Sequence, residues 1–250
     1  MRAASGAHQG KHPGVLGTVA AVLRVLVVGV FLQTFVLQTY QIPSGSMIPT
    51  MLVGDCVLVS KAAYDDAGSR RGAWRRLERS LLPPSAVHRG DMVVFHFPPE
   101  PSHLLVKRVI GMPGDRLHLR NGRVFLNDIP LQEPYAMYTA ARPDVFRDEF
   151  PNLNETDPNV DPAWWLALRR TLRQDGNVLI PPDHYFVLGD NRNNSEDSRY
   201  WGFVPQAGIV GEPALIYFAV PNGADAPPGG PLPRLRWVSG WVRQRIGVLH

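Results

Sequence analysis

Leu104-Leu105-Val106-Lys107-Arg108-Val109-Ile110 is an apolar run broken by two adjacent cations, and it stops at Gly111-Met112-Pro113-Gly114-Asp115. Its length, its β-branched residues and the Gly/Pro punctuation beyond it argue for a strand rather than a helix. Alternation along a strand puts Lys107 on the face of Leu105 and Val109, and Arg108 on the face of Val106 and Ile110. The lysine therefore points toward an apolar side. Working outward, Arg116 to Leu119 and Arg123 to Leu126 flank Asn121-Gly122, a strong two-residue hairpin signal. Cys56 to Ser60, Met92 to Phe97, Tyr185 to Leu188 and Glu212 to Val220 read as further strands. With 23 Gly and 24 Pro spread through 250 residues as turn punctuation, the chain is expected to be mainly β: an irregular barrel-like or two-sheet body.

The strongest compositional break lies near the start. Residues 15 to 36 are mostly Val, Leu, Ala, Gly and Phe, with Arg24 as the one charge. A helix rising 1.5 Å per residue needs about 20 residues to cross a hydrocarbon core, so a transmembrane anchor is expected over residues 19–38, where Arg24 snorkels to the near headgroups. Arg2, Lys11 and Arg24 place residues 1–18 on the cytoplasmic side and the rest of the chain outside. A cleavable leader is the competing reading, but the run is longer than an h-region, and Phe35 to Pro43 offers no small-x-small site. Residues 39–220 are then an extracytoplasmic catalytic body with insertions at about 63–88 and 134–182. The first insertion carries Arg70, Arg71, Arg75, Arg76 and Arg79; the second holds one helical candidate, Pro162 to Arg173. Residues 221–250 form a Pro/Gly linker and a basic tail with Trp237, Trp241, Arg243 and Arg245.

The formal charge of +4 has no aromatic-interleaved basic face with it, so no nucleic-acid partner is expected and a membrane surface accounts better for the basicity. The lone cysteine, Cys56, excludes an internal disulfide and reads as a buried apolar filler.

Three segments offer chemistry. Ser44-Gly45-Ser46 follows the apolar segment in a loop held by Pro43 and Pro49, and a serine hydroxyl needs a base. His88, His96, His103, His118 and His184 lack a signature that pairs any of them with a carboxylate, which leaves Lys107 as the more attractive base. An ordinary lysine, with a pKa of about 10.4, is neutral in fewer than about one molecule in a thousand at pH 7 and becomes a base only through desolvation. The third segment, Gly189 to Pro205, is dense in Asp, Asn, Arg and Ser; its acidic residues lack the spacing of a calcium loop, and no metal is expected.

These blocks together resemble the bacterial type I signal peptidase family: Ser44-Gly45-Ser46-Met47 with Pro49-Thr50, Gly90 to Phe95, Lys107 to Gly111 with Pro113-Gly114-Asp115, and Gly189 to Pro205. The resemblance implies a membrane-bound serine endopeptidase that removes signal peptides from exported preproteins after small-x-small sites, without a cofactor. It implies Ser46 as nucleophile and Lys107 as general base, with an oxyanion hole from the Ser44 hydroxyl and the Ser46 N–H. Ser195 matches the hydroxyl that orients the lysine, and Asp197 and Arg199 the pair that braces its loop. Ile42, Pro43, Met47, Leu105 and Val106 are candidates for shallow apolar subsites. A single-pass monomer in the cytoplasmic membrane, its body on the periplasmic side, is the matching expectation. The insertions match no family motif. A self-cleaving serine-lysine regulator would need a DNA-binding module where the apolar segment stands. A tethered binding module would leave the agreement of several blocks unexplained.

Overall fold

The computed structural model describes residues 15–31, 37–61, 86–139, 142–155, 157–219 and 247–248. Helix α1 (Val15–Phe31) is followed by strand β1 (Leu37–Gln41), a 3-10 turn (Gly45–Met47), β2 (Asp55–Ser60), β3 (Met92–His96) and β4 (Leu104–Gly111). Then come β5 (Arg116–Arg120), β6 (Arg123–Leu126), β7 (Ile129–Pro130), short helices α2 (Val145–Asp148) and α3 (Pro162–Thr171), and β8 (Val178–Leu179). The described chain continues with β9 (His184–Leu188), α4 (Ser198–Trp201), β10 (Val204–Pro205), β11 (Ile209–Ala219) and β12 (Gly247–Val248).

The strands form two sheets, as expected. The larger runs β1-β2-β11-β3-β4-β9-β10 with β12 beside β11, and the smaller runs β7-β6-β5-β8. Every pairing between these strands is antiparallel. Asn121 and Gly122 both take positive φ, 50° and 73°, as a tight hairpin of this twist requires, and join β5 to β6.

Alternation sorts the central side chains among three apolar clusters. From β3, Val93 and Phe95 enter one cluster with Val109, Val187 and Trp201, while Met92 and Val94 enter another with Ile42, Met47, Met51, Val57 and Ile216. From β9, Phe186 and Leu188 enter a third cluster with Ile110, Leu117, Phe150, Trp164 and Leu168. Both faces of β3 and β9 are thus covered, and each fully buried apolar side chain contributes about 1.5–3 kcal/mol. Met47 and Met51 pull the Gly45–Met47 turn into the second cluster, which fixes that loop to the sheet.

Several expectations change. The anchor expected over 19–38 overlaps α1, but Leu37 and Gln38 already belong to β1, laddered to Ser60 and Val59. Among the described residues no helix is long and apolar enough to cross a membrane. The stretch from Pro134 to Pro182 is no mere appendage: Phe146, Phe150, Trp164, Leu168, Val178 and Ile180 are all buried in the clusters of the body. Its helix runs Pro162–Thr171, with Asp161 accepting from Trp164 N at its N-cap. Cys56 is only half-buried, because Asp55, Val57 and Val59 take the inward positions of β2. The arginine-rich residues 70–79, and Trp237, Trp241, Arg243 and Arg245, lie outside the described residues.

Gly211, in β11, lies so close to β2 that an added Cβ would collide with the Ser60 carbonyl oxygen. Gly211→Ala should therefore cost about 1–3 kcal/mol in a denaturant-unfolding measurement, as overpacking does elsewhere, whereas Gly29→Ala, which meets open space, should cost little.

Candidate active site

The 3-10 turn and β4 converge. Lys107 Nζ lies 2.6 Å from Ser46 Oγ, across 61 positions of sequence, and the residues are only 4% and 8% exposed. An ammonium donates in this contact; a neutral amine accepts from the hydroxyl. Ser44 Oγ is 3.4 Å from Ser46 Oγ. The Ser46 N–H belongs to the first turn of the 3-10 helix, whose leading N–H groups have no partner within the helix.

Lys107 projects from β4 opposite Val93 of β3, and the face that alternation gave it is buried. Arg108, its neighbour, is buried as well, and it turns to Asp190: Nε and Nη2 reach the two carboxylate oxygens at 2.8 Å each. Its remaining nitrogen donates to Gly90 O, and Tyr135 stacks over the guanidinium 4.1 Å from ring centre. Thr50 donates to the same Asp190 carboxylate.

Two further arginine-carboxylate pairs enclose the loop after β9. Arg199 grips Asp197 with both Nε and Nη2 at 2.8 Å, and Arg192 grips Glu133 at 2.6 and 2.8 Å. Asp197 also accepts from Gly189 N and from Ser195 Oγ, and it caps α4. Burial alone would push the Asp197 carboxyl up, but the charge and hydrogen bonds of Arg199, with the charge of Lys107, hold it below the usual carboxylate value. The Asp197–Arg199 brace expected from the sequence is present. Ser195, expected to orient the lysine, gives its hydrogen to Asp197 at 2.8 Å. It still stands beside the nucleophile: a Cβ on Gly189 would strike both Ser195 Oγ and the Ser46 carbonyl oxygen, so these groups converge where only glycine fits.

The buried carboxylates near Lys107, Asp197 and Asp190, are thus committed to arginines. Burial pulls the Lys107 ammonium down to about 8, against which Asp197 pushes up and Arg199 down, with smaller upward pushes from Glu196 and Asp190. A cleft of about 50 Å³ opens onto the pair, lined by Tyr40, Ile42, Pro43, Met47, Leu105 and Val106 among others. All five expected apolar subsite residues meet there. Along the cleft, Leu104 to Lys107 are laddered to β3 alone, because β9 joins β4 only from Arg108 onward. Among the described residues no cluster of His, Cys, Asp and Glu is arranged to hold a metal ion.

A family model described as "Signal peptidase, peptidase S26" matches residues 15–218. The chain belongs to this family. The S26 peptidase is 32% identical over 244 residues to "Signal peptidase I" of Pseudomonas aeruginosa, covering 90% of this chain and 76% of the relative. It is also 32% identical over 212 residues to "Signal peptidase I" of Pseudomonas fluorescens, covering 79% and 70%. A crystal structure of a signal peptidase I from Enterococcus faecalis V583 shares 30% identity, covering 51% of this chain and 97% of that one, with a TM-score of 0.37.

Sequence reasoning left out Arg108, Asp190, Asn191 and Gly189, all now in or beside the site. Arg108 and Asp190 were visible as a cation in an apolar strand and an acid in a dense loop, but nothing local joins residues 82 positions apart.

The depressed Lys107 value has a consequence for stability. The unfolded chain, with lysine near 10.5, binds more protons than the folded S26 peptidase between about pH 8 and 10.5, so this group's penalty is complete below pH 8 and relieved as pH rises. Relative to Lys107→Met, the wild type should gain about 3 kcal/mol of unfolding free energy from pH 8 to 10.5, read by denaturant titration at each pH.

Proposed function

We propose that this S26 peptidase removes signal peptides from exported preproteins, with Ser46 as nucleophile and Lys107 as general base. The single observation that carries this reading is the buried 2.6 Å contact between Lys107 Nζ and Ser46 Oγ. Family membership supports the peptidase activity, and the names of the Pseudomonas relatives support the substrate class.

The chemistry follows from the contacts. With a pKa of about 8, roughly a tenth of the lysines are neutral at pH 7, some hundredfold more than for an exposed lysine. The neutral amine takes the Ser46 proton as Oγ attacks the scissile carbonyl carbon. The developing oxyanion is held by the Ser46 N–H and the Ser44 hydroxyl, donors of a kind worth about 2.7–4 kcal/mol each in other enzymes. Collapse breaks the C–N bond, the Lys107 ammonium returns its proton to the leaving amine, and the acyl-serine remains. Water, deprotonated by the same lysine, attacks the ester and regenerates the hydroxyl.

The cleft sets specificity. An extended peptide laid along the open edge of Leu104 to Lys107 gains main-chain hydrogen bonds there, as strand addition does. Its first and third side chains before the cut then fall on one face, toward Ile42, Pro43, Met47, Leu105 and Val106. About 50 Å³ leaves room for small side chains there, which matches small-x-small cleavage.

Helix α1 supports a membrane location. Its described side chains are exposed and apolar apart from Thr18 and Arg24, as in a segment that lies in lipid. Its 17 residues span about 26 Å, most of a hydrocarbon core of about 30 Å. We place it in the cytoplasmic membrane as an anchor of a monomeric enzyme, with the β body on the extracytoplasmic side at the lipid surface, where the cleavage site of a membrane-inserted signal peptide emerges. Tethering there raises the effective substrate concentration.

Cleavage of a preprotein in detergent micelles should fall by about 10³-fold or more in both Ser46→Ala and Lys107→Ala, with folding intact. Wild-type kcat/KM should rise with pH through a midpoint of about 8, since the protonated lysine is inactive. Full activity in Lys107→Ala would remove the lysine from the mechanism.

A further inference from the structure

The peptide that carries the nucleophile is held from both sides by one residue outside the dyad. Asn191 N–H donates to Ser46 O at 3.0 Å, and Asn191 Nδ2 donates to Gly45 O at 3.2 Å. Asn191 is itself 3% exposed and fixed in place by a parallel bridge to Met137, with Met137 N donating to Asp190 O and Arg192 N to Met137 O. Its amide orientation is dictated by the Gly45 carbonyl, which accepts only the NH2 side. The other end of that amide, Oδ1, is buried without a hydrogen-bond partner among the described residues, so the side chain is not placed there to satisfy itself.

The Gly45–Ser46 peptide is trans, and in a planar trans unit the C=O and N–H point in opposite directions. Pinning Gly45 O therefore aims Ser46 N–H away from Asn191. Pinning Ser46 O as well limits rotation on both sides of the Ser46 Cα, which is also what directs Oγ toward Lys107. We propose that Asn191 is a positioning residue that aims the oxyanion-binding N–H of Ser46. This deepens, and rests on, the reading of Ser46 as nucleophile.

Asn191→Leu keeps roughly the side chain's size but removes the donor facing the Gly45 carbonyl, and Asn191→Ala removes the side chain beyond Cβ; both leave the backbone N–H in place and add no charge near Lys107. Preprotein cleavage by the full chain in detergent micelles, with kcat, KM and pH profile for each variant and a thermal melt as control, reads the effect. Expected is a kcat lower by about 10- to 100-fold in both variants, a KM within twofold of wild type and an activity limb still near pH 8, since neither the cleft nor the lysine's surroundings change. A kcat within twofold of wild type in a folded variant overturns the proposal, as does a loss accompanied by a raised KM or a shifted limb, the marks of general loosening. If Asn191→Ala fails to fold, Asn191→Leu decides. Ser46→Ala run alongside separates the two readings: if it stays active, the nucleophile assignment fails; if it is dead while the Asn191 variants are fully active, only the positioning role fails.

Discussion

A lysine buried against a serine hydroxyl, with the buried carboxylates around it already paired to arginines, is the constraint from which the rest of the site takes its form. Lys107 has three acids in electrostatic range; Glu196 is exposed to solvent, and the buried two are Asp197 and Asp190, either of which would hold it charged if unpaired. Each of these two is gripped at both oxygens by an arginine, Arg199 and Arg108. The planar fork of arginine matches a carboxylate in a way that the single ammonium of lysine does not, so the acids stay with their arginines. Removing one arm of such a buried pair costs about 3–5 kcal/mol, because the remaining charge is stranded; the same act would free an acid for Lys107.

The fold supplies this arrangement with few elements. Strand β4 offers adjacent cations to opposite faces, so that one pleat sends Arg108 to Asp190 and the next sends Lys107 to Ser46. Strand β9 ends at Leu188, and the segment from Gly189 onward delivers Asp190, Asn191, Arg192, Ser195, Asp197 and Arg199 in quick succession around the nucleophile turn. The absence of a Cβ at Gly189 is what lets Ser195 and the Ser46 carbonyl approach the same point. Burial of Met47 and Met51 keeps the turn on the sheet while its other side faces the cleft.

Much of this was legible locally. Asn121-Gly122 announced the hairpin, and alternation through Leu104 to Ile110 gave Lys107 an apolar face before any contact was known. What was not legible depended on distant pairing. Alternation cannot say that Arg108 is as buried as Lys107, because that depends on Asp190 meeting it from the loop after β9. The loop-like composition of residues 134–182 hid their part in the core: only Trp164 and Leu168, four apart on the helix, follow a regular period there, while Phe146 lies in a helix of four residues and Phe150 beyond its end. Ser195 was assigned to the lysine through resemblance, yet its hydroxyl goes to Asp197 two residues on, a local bond that its own spacing permits. The start of β1 at Leu37 was masked by the apolar character that it shares with the preceding segment.

The account stands on the charge state of one amine. An isotope-edited NMR titration of the lysine ε-carbon signals, with Lys107→Met to assign the resonance, measures it directly in the folded protein. A Lys107 midpoint of about 8 is the predicted result. A midpoint in the ordinary lysine range of about 10.4 would contradict it, for the amine would then be charged wherever the enzyme works.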